Sequence, residues 1–367
     1  MEPFKNIFNF DSLKKMAKTF KLAYPDFNAK RFLLGIEASL EPLEMKARVH
    51  LIKDRLILAL PKSATQSFPI LIASLKSPSN PSGLSGFLVW PLTQFVEDQG
   101  LSDFSLSMTA LKEMTKVFTS EFAVRSFLKL HQQQTLKLFA KWTNDPNPHV
   151  RRLVSEGARP RLPWGAHLPD FAKNPKLTWS LLEALHLDNS EYVRKSVANH
   201  INDHSKNHPD FVLRNLRRWK KQNPNSPDLD RLVRHATRSL IKLGNSQAFA
   251  LHGIVASEVK VAKIKVKTLR IRLGSQFRAM VELHNQGKKP AEVILDHSFE
   301  FLKANGKHGK KNFKGRRLKI LAGEKKVLEL SVPLVAVTTR TYYPGRQYWS
   351  LQLNGKPQER FAFSLSI

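Results

Sequence analysis

The sequence contains no cysteine. That excludes disulfides, thiolate zinc sites and cysteine nucleophiles, and it suits a reducing compartment. Acidic residues are scarce: 30 Asp and Glu stand against 60 Lys and Arg, a formal charge of +30. Long apolar runs are missing too. The longest, around Gly86–Leu92, is interrupted by Ser, Gly and Pro and falls well short of the ~20 residues a membrane span needs. The opening MEPFKNIFNFDSLKK carries Glu2 and Asp11 and no continuous apolar core, so it does not read as a secretory signal. Hydrophobic residues nevertheless make up 41% of the chain, enough for true cores, which excludes a disordered basic tail. A length of 367 residues implies more than one domain.

The charge is unevenly spread. Residues 1–120 hold 15 basic and 11 acidic residues, residues 121–254 hold 22 and 11, and residues 255–367 hold 23 and 8. Nearly all of the excess therefore lies after residue 120, which points to a polyanion partner, most simply nucleic acid, contacted by the later two thirds. Residues 1–254 read as helical. Apolar residues recur three and four apart, as in Phe32, Leu33, Ile36 and Leu40, and breakers such as Pro42, Pro61, SPSNPSG at 77–83, Pro146 and Pro148 separate the runs.

A repeat emerges in the middle. Asp, four residues, Val, Arg occurs at Asp145–Arg151, Asp188–Arg194 and Asp228–Arg234, with Val150, Val193 and Val233 spaced 43 and 40 residues apart. That period belongs to helical-hairpin solenoids of the HEAT type. Each Asp is expected to cap the second helix of its hairpin. Each Val should face the shared core, and each Arg should bridge to the Asp of the next repeat. AVR at Ala123–Arg125 is a weaker echo without the Asp. Stacked hairpins of this kind offer a face on which Lys and Arg could track a phosphate backbone.

After Gly253 the period changes to two. Val259–Gly274 alternates apolar and basic residues, and the habit returns in Phe277–His284, Val293–Phe301, Lys325–Val332, Tyr348–Leu353 and Phe361–Ile367. Six or seven short strands separated by turn chemistry predict an immunoglobulin-like β-sandwich over 255–367, with a small barrel as the alternative. The segment Asn305–Arg317 reads as a loop. Its Lys307, Lys310, Lys311, Lys314, Arg316 and Arg317 are candidate DNA contacts.

Three carboxylates break the logic of the repeat. Glu121 opens the helix EFAVRSFLKL, Glu156 lies six residues after Val150, and Asp203 lies ten after Val193. Each has a structural explanation when taken alone: a macrodipole for Glu121, a pair with Arg152 or Arg159 for Glu156, a helix end for Asp203. Trp164, in RPRLPWGAHLPDF, sits on a Pro- and Gly-rich loop between repeat helices, where a ring suits stacking on a sugar or a cationic base, or else plugs a hairpin corner. The histidine pair His200 and His204 lacks a nearby thiolate or organised acid set, so no metal is expected, and no organic cofactor is called for.

With these residues in hand, the GARPRLPWG segment at Gly157–Gly165, the VRKSVANHINDHSKNHPDFV segment at Val193–Val212 and the Asp-x4-Val-Arg repeats resemble the AlkC/AlkD family of bacterial alkylpurine DNA glycosylases. The added basic β-domain resembles the AlkC branch that carries an immunoglobulin-like C-terminal domain, and the resemblance spans essentially the whole chain. It implies a HEAT-like helical-repeat glycosylase domain at 1–254 and a DNA-contacting immunoglobulin-like sandwich at 255–367. It implies hydrolysis of the N-glycosidic bond of cationic N-alkylated bases in duplex DNA, notably 3-methyladenine and in some members 3-methylcytosine, without flipping the base into a tight pocket. By position it makes Asp203 the carboxylate facing the scissile bond, Trp164 an aromatic packed on the deoxyribose, and Glu121 and Glu156 acids lining the same cleft. Arg152 and Arg159, joined by Arg161 and Lys195, become DNA-binding residues. The AlkD-like branch sets paired tryptophans around its Asp, and one match, Trp164, is legible here. The expected partner is double-stranded DNA containing alkylated bases, with no membrane, no obligate protein partner and no cofactor, for a monomer in the bacterial cytoplasm at the nucleoid. A non-catalytic helical-repeat nucleic-acid binder, or a protein scaffold, would share the charge and the repeats.

Overall fold

The computed structural model describes residues 3–254, 258–337 and 340–367, with Lys314 described in its backbone alone. Lys314 as a candidate DNA contact therefore lies outside the described side chains. The helices come first: α1 (Phe10–Ala23), α2 (Ala29–Leu33), α3 (Ile36–Leu40), α4 (Met45–Ala59), α5 (Ala64–Ala73) and α6 (Trp90–Gln99). They continue as α7 (Phe104–Thr115), α8 (Val124–Leu130), α9 (Gln132–Trp142), α10 (Pro148–Gly157), α11 (Pro169–Lys173) and α12 (Lys176–Leu185). Last are α13 (Glu191–Ser205), α14 (Pro209–Gln222), α15 (Pro227–Ala236), α16 (Arg238–Lys242) and α17 (Ser246–Leu251). Strands follow: β1 (Val259–Val266), β2 (Arg270–Arg272), β3 (Gln276–Asn285), β4 (Ala291–Leu302), β5 (His308–Ile320), β6 (Lys325–Pro333), β7 (Gly345–Leu353) and β8 (Lys356–Ser366). Among the described residues no single helix is long and apolar enough to cross a membrane.

The chain forms two compact units. One runs through His208 and takes in Asn223–Ala236; the other joins Pro209–Gln222 to Thr237–Ile367, so α14, α16 and α17 go with the strands.

In the first unit the repeat has a physical form. Val150, Val193 and Val233, on α10, α13 and α15, are fully buried. Between neighbouring repeats runs a ladder of ion pairs. Lys112 meets Asp145 at 2.6 Å, Arg151 meets Asp188 through Nε at 2.7 Å and Nη2 at 3.0 Å, and Arg194 meets Asp228 at 3.0 Å. The two-pronged Arg151–Asp188 pair is the strongest geometry of the three. The capping expectation needs correction. Asp145 accepts from the Asn147 amide at 2.9 Å and Asp188 from the Ser190 amide at 2.8 Å, so each closes a turn two residues on, just before its helix. The N-cap of α10 is Asn147, whose side chain accepts from His149. An Asp placed two residues before the N-cap leaves its second oxygen free to reach the previous repeat, which a capping carboxylate could not do as well.

In the second unit, sheets ordered β1-β3-β6 and β2-β8-β7-β4-β5 share one core. Phe277 of the smaller sheet meets Phe299 edge-on at 5.1 Å, and also Trp349 and Phe363, all of the larger sheet. This is the expected two-layer sandwich, with eight strands among the described residues because β2 separates from β1 and because a strand occupies the segment read as a loop. Asn305–Arg317 is not a loop. His308–Ile320 is β5, paired antiparallel with β4 from Ala291↔Ile320 to Leu302↔His308, and the turn is confined to the residues around Gly306. Its glycine at 315 sits at the irregularity between Leu295 and His297, where a Cβ would collide with the Leu295 carbonyl. The charge run is what an exposed edge strand needs to resist pairing with another chain.

Removing Asp188 should strand a nearly buried Arg151. The Asp188→Ala variant is expected to lose about 3 kcal/mol of unfolding free energy in urea titrations followed by far-UV circular dichroism. Arg231→Ala, which loses an exposed pair with Asp228, should change little.

Candidate active site

The carboxylates that break the repeat converge. Arg152 and Glu156 are four apart on α10, so they share a face, and Arg159 follows three residues on, just past the helix end. Asp203 comes from the last turn of α13, and Glu121 from the turn before α8. Together they form an alternating chain of anion and cation. Glu121 pairs with Arg152 Nη1, and Arg152 Nη2 lies 3.6 Å from Glu156. Glu156 pairs with Arg159 Nη1 at 2.6 Å, Arg159 Nε donates to Asp203 at 3.0 Å, and Lys206 stands 3.5 Å from the other Asp203 oxygen. Thr119 donates to Glu121 at 2.9 Å and Ser196 to Glu156 at 2.7 Å. Glu121, Glu156, Arg159 and Asp203 are all buried.

Burial disfavours both guanidinium charges, but the neighbouring carboxylates more than offset it. Glu121 and Glu156 hold Arg152 above its ordinary pKa, and Glu156 and Asp203 do the same for Arg159. Arg152 and Arg159, expected as DNA-binding residues, are thus placed between the acids. Arg152 also lies over the Tyr192 ring, 5.2 Å from its centre. Arg161 donates to Asn207 at 2.6 Å, and Lys195 pairs with Glu191 at 2.9 Å, both at the surface.

Trp164 occupies the left-handed region, with φ of +65°, and leaves 58% of its surface exposed. Its loop is tied from below by Arg125, which the sequence offers only as an incomplete echo of the repeat. Arg125 Nη1 donates to the Gly157 and Arg159 carbonyls, both at 2.8 Å, and Nε to the Ala166 carbonyl at 2.5 Å. Burial, then the charge of Arg159, pushes the Arg125 pKa down to about 10. Gly165 permits this closeness, since a Cβ there would meet Leu162 at 3.0 Å and Arg125 at 3.2 Å. The indole of Trp164 lies parallel to that of Trp90, 6.3 Å apart and 9° from coplanar, and Trp90 stacks in turn on Phe122 at 5.0 Å. A second tryptophan therefore does accompany the first. Trp90 comes from α6, too remote in the sequence for any spacing to reveal, and it escaped the sequence reading together with Phe122, Ser196 and Lys206.

Beneath the chain lies a neutral polar layer. His200 Nδ1 is 2.9 Å from the Ser155 carbonyl, and Thr178 Oγ1 lies 3.2 Å from His200 Nε2 and 3.0 Å from His204 Nε2. Burial, and then the other imidazole, pushes His200 well below its ordinary pKa; burial and His208 push His204 down to about 3. The pair is thus a brace between α10, α12 and α13 and adds no positive charge beneath the carboxylates.

The chain aligns along its entire length with the AlkC alkylpurine DNA glycosylase of Pseudomonas fluorescens, solved bound to DNA containing an abasic-site analogue, at 36% identity and a TM-score of 0.90, covering 100% of both chains. It is also 34% identical over 367 residues to the uncharacterized protein YhaZ of Bacillus subtilis (strain 168), again covering all of both. Residues 260–367 match the family described as the C-terminal Ig-like domain of YhaZ. The chain belongs to the AlkC family. Membership fixes the fold of both parts, the helical repeats and the Ig-like sandwich, and the residues that form the acid–cation chain lie within the matched length.

The histidine layer gives a pH dependence. Histidines kept neutral in the fold take up protons on unfolding once the pH drops below their ordinary value of 6.5, so stability falls as the pH goes from about 6.5 toward 3. For His204 alone the loss by pH 5 should be about 2 kcal/mol. Melting curves from pH 7.5 to 5 should show that His204→Gln, which cannot ionise, declines less steeply than the wild type.

Proposed function

We propose that this chain is a DNA glycosylase that releases cationic N-alkylated bases, 3-methyladenine foremost and 3-methylcytosine as a second substrate, from duplex DNA. The observation that carries the reading is the buried chain Glu121–Arg152–Glu156–Arg159–Asp203 beside a loop that presents an exposed Trp164, in a protein similar over its full length to AlkC. Alkylation at N3 makes the base a cation, so its leaving needs no general acid. The C1′–N bond breaks with its electron pair going to the base, which departs neutral, while positive charge develops on the deoxyribose. Carboxylates fixed in a partly dry site stabilise that charge and orient the attacking water, whose oxygen bonds to C1′ and whose proton passes to a carboxylate or to solvent. An abasic site remains, with no covalent enzyme intermediate.

Asp203, Glu121 and Glu156 take the electrostatic roles, and Trp164 offers its π face to the sugar or the cationic base. Selectivity follows: a neutral base lacks the weakened bond. Because Arg152, Arg159 and Lys206 accompany the three acids, the cluster does not confront phosphates with an uncompensated negative field. The residues 1–254 would supply this chemistry, and 255–367 a DNA-contacting surface along β5. There Lys307, Lys310, Lys311 and Arg316 are exposed, and Arg317 also faces solvent but pairs with Glu292. The reading needs no cofactor.

The direct test is base release from methylated duplex DNA, identified by mass spectrometry. Asp203→Asn should lower release by at least about a hundredfold while duplex affinity holds within a few-fold or tightens. Affinity lost in parallel with activity, or no release by the wild type, would leave a helical-repeat DNA binder instead. Replacing Lys310 and Lys311 together by Ala should lower the slope of log affinity against log salt by about 2, with similar weakening on every sequence. An unchanged slope would remove β5 from the DNA surface.

A further inference from the structure

One cavity meets the Trp164 loop. Of about 140 Å³, it is lined by His50 of α4, by Gln94 and Glu97 of α6, and by the rings of Trp90, Phe122 and Trp164. That is far below the ~300 Å³ at which drug-sized sites begin, and it suits one small ring system. The sequence of α6 builds it: Trp90, Gln94 and Glu97 stand at i, i+4 and i+7, so an indole, a carboxamide and a carboxyl share one helix face. The polar groups are unusual for a core. Trp90 is 3% exposed, and its Nε1 is buried with no hydrogen-bond partner among the described residues. Burial raises the Glu97 carboxyl above its ordinary range even though Ser126 and Gln94 donate to it. An amide with both donor and acceptor and a carboxyl, beside two parallel indole faces, match the edge of a purine, with its ring-nitrogen acceptors and exocyclic amine.

The cavity and the acid chain meet at the same loop, because Trp164, Gly165 and Ala166 line the cavity while Arg125 ties Ala166 to the Arg159 carbonyl. We propose that this pocket is a product site that holds the freed purine base, with Gln94 and Glu97 reading its edge and the parallel indoles of Trp90 and Trp164 facing its plane. The inference rests on the glycosylase reading for the identity of the base, and on the cavity alone for the purine class. A base retained here would slow turnover, and free base added in solution would inhibit.

The test is equilibrium dialysis of the whole protein against free 3-methyladenine, with cytosine as the smaller-ring control, beside the base-release assay. The wild type should bind 3-methyladenine saturably and in preference to cytosine. Glu97→Gln and Gln94→Ala should each weaken binding about tenfold, and circular dichroism would confirm that both are folded. Two variants guard against one failing to fold. Wild-type protein that releases methylated bases yet binds no free purine would overturn the pocket and leave the glycosylase reading intact, as would folded variants that bind like the wild type. Saturable binding lost in both variants, in a protein that releases no base, would uphold the purine site and overturn the glycosylase reading.

Discussion

Buried carboxylates flanked by cations organise the helical unit. In a protein with twice as many bases as acids, an acid can be placed inside only at the cost of dehydration, and each of these acids is repaid by one or two neighbouring cations. Two such systems run through the same helices. The ladder Lys112–Asp145, Arg151–Asp188, Arg194–Asp228 fixes the stacking of the repeats. The chain from Glu121 to Lys206 uses the same chemistry on another face of α10. Arg151 and Arg152 are adjacent on α10 and belong to different systems, the first to the ladder and the second to the acid–cation chain. The spacing of an α-helix makes this division possible, since neighbours in sequence point about 100° apart around the axis.

This division explains what was legible in the sequence. The ladder repeats, so its period announces it: Val150, Val193 and Val233 are buried and their arginines reach the next Asp. The candidate site residues stand out by the opposite rule, as acids that break the period, and Glu121, Glu156 and Asp203 do come together through Arg152 and Arg159. Three things were hidden. Arg125 stands at the repeat position without the Asp, which reads as an incomplete motif, and it binds three backbone carbonyls where Arg151 and Arg194 reach a carboxylate. Trp90 joined Trp164 through tertiary packing that no local pattern encodes. The strand β5 was masked because Lys and Arg occupy both of its faces, so the two-residue alternation that marks a half-buried strand is absent on an edge.

The acid–cation chain meets the exposed aromatic at the Trp164 loop. A tryptophan at φ +65° is disfavoured, on the order of 1 kcal/mol or more, and persists only where its surroundings hold it. Here the holding is explicit: Lys46 donates to its carbonyl, and Arg125 binds Gly157, Arg159 and Ala166 around it. The guanidinium that does this is itself unfavourably placed, buried, with its pKa lowered to about 10 and Nη2 without a partner among the described residues. A merely structural corner could be closed by glycine and an apolar plug at lower cost. What the arrangement secures instead is an indole that keeps more than half of its surface exposed on a loop that cannot collapse inward. The same guanidinium grips the backbone of Arg159, the residue that joins Glu156 to Asp203, so the pose of the ring and the spacing of the acids depend on one side chain. The ion pairs of Arg159 with Glu156 and Asp203 are thereby coupled to the geometry of the exposed aromatic: moving either would disturb the Arg125 cradle that both share.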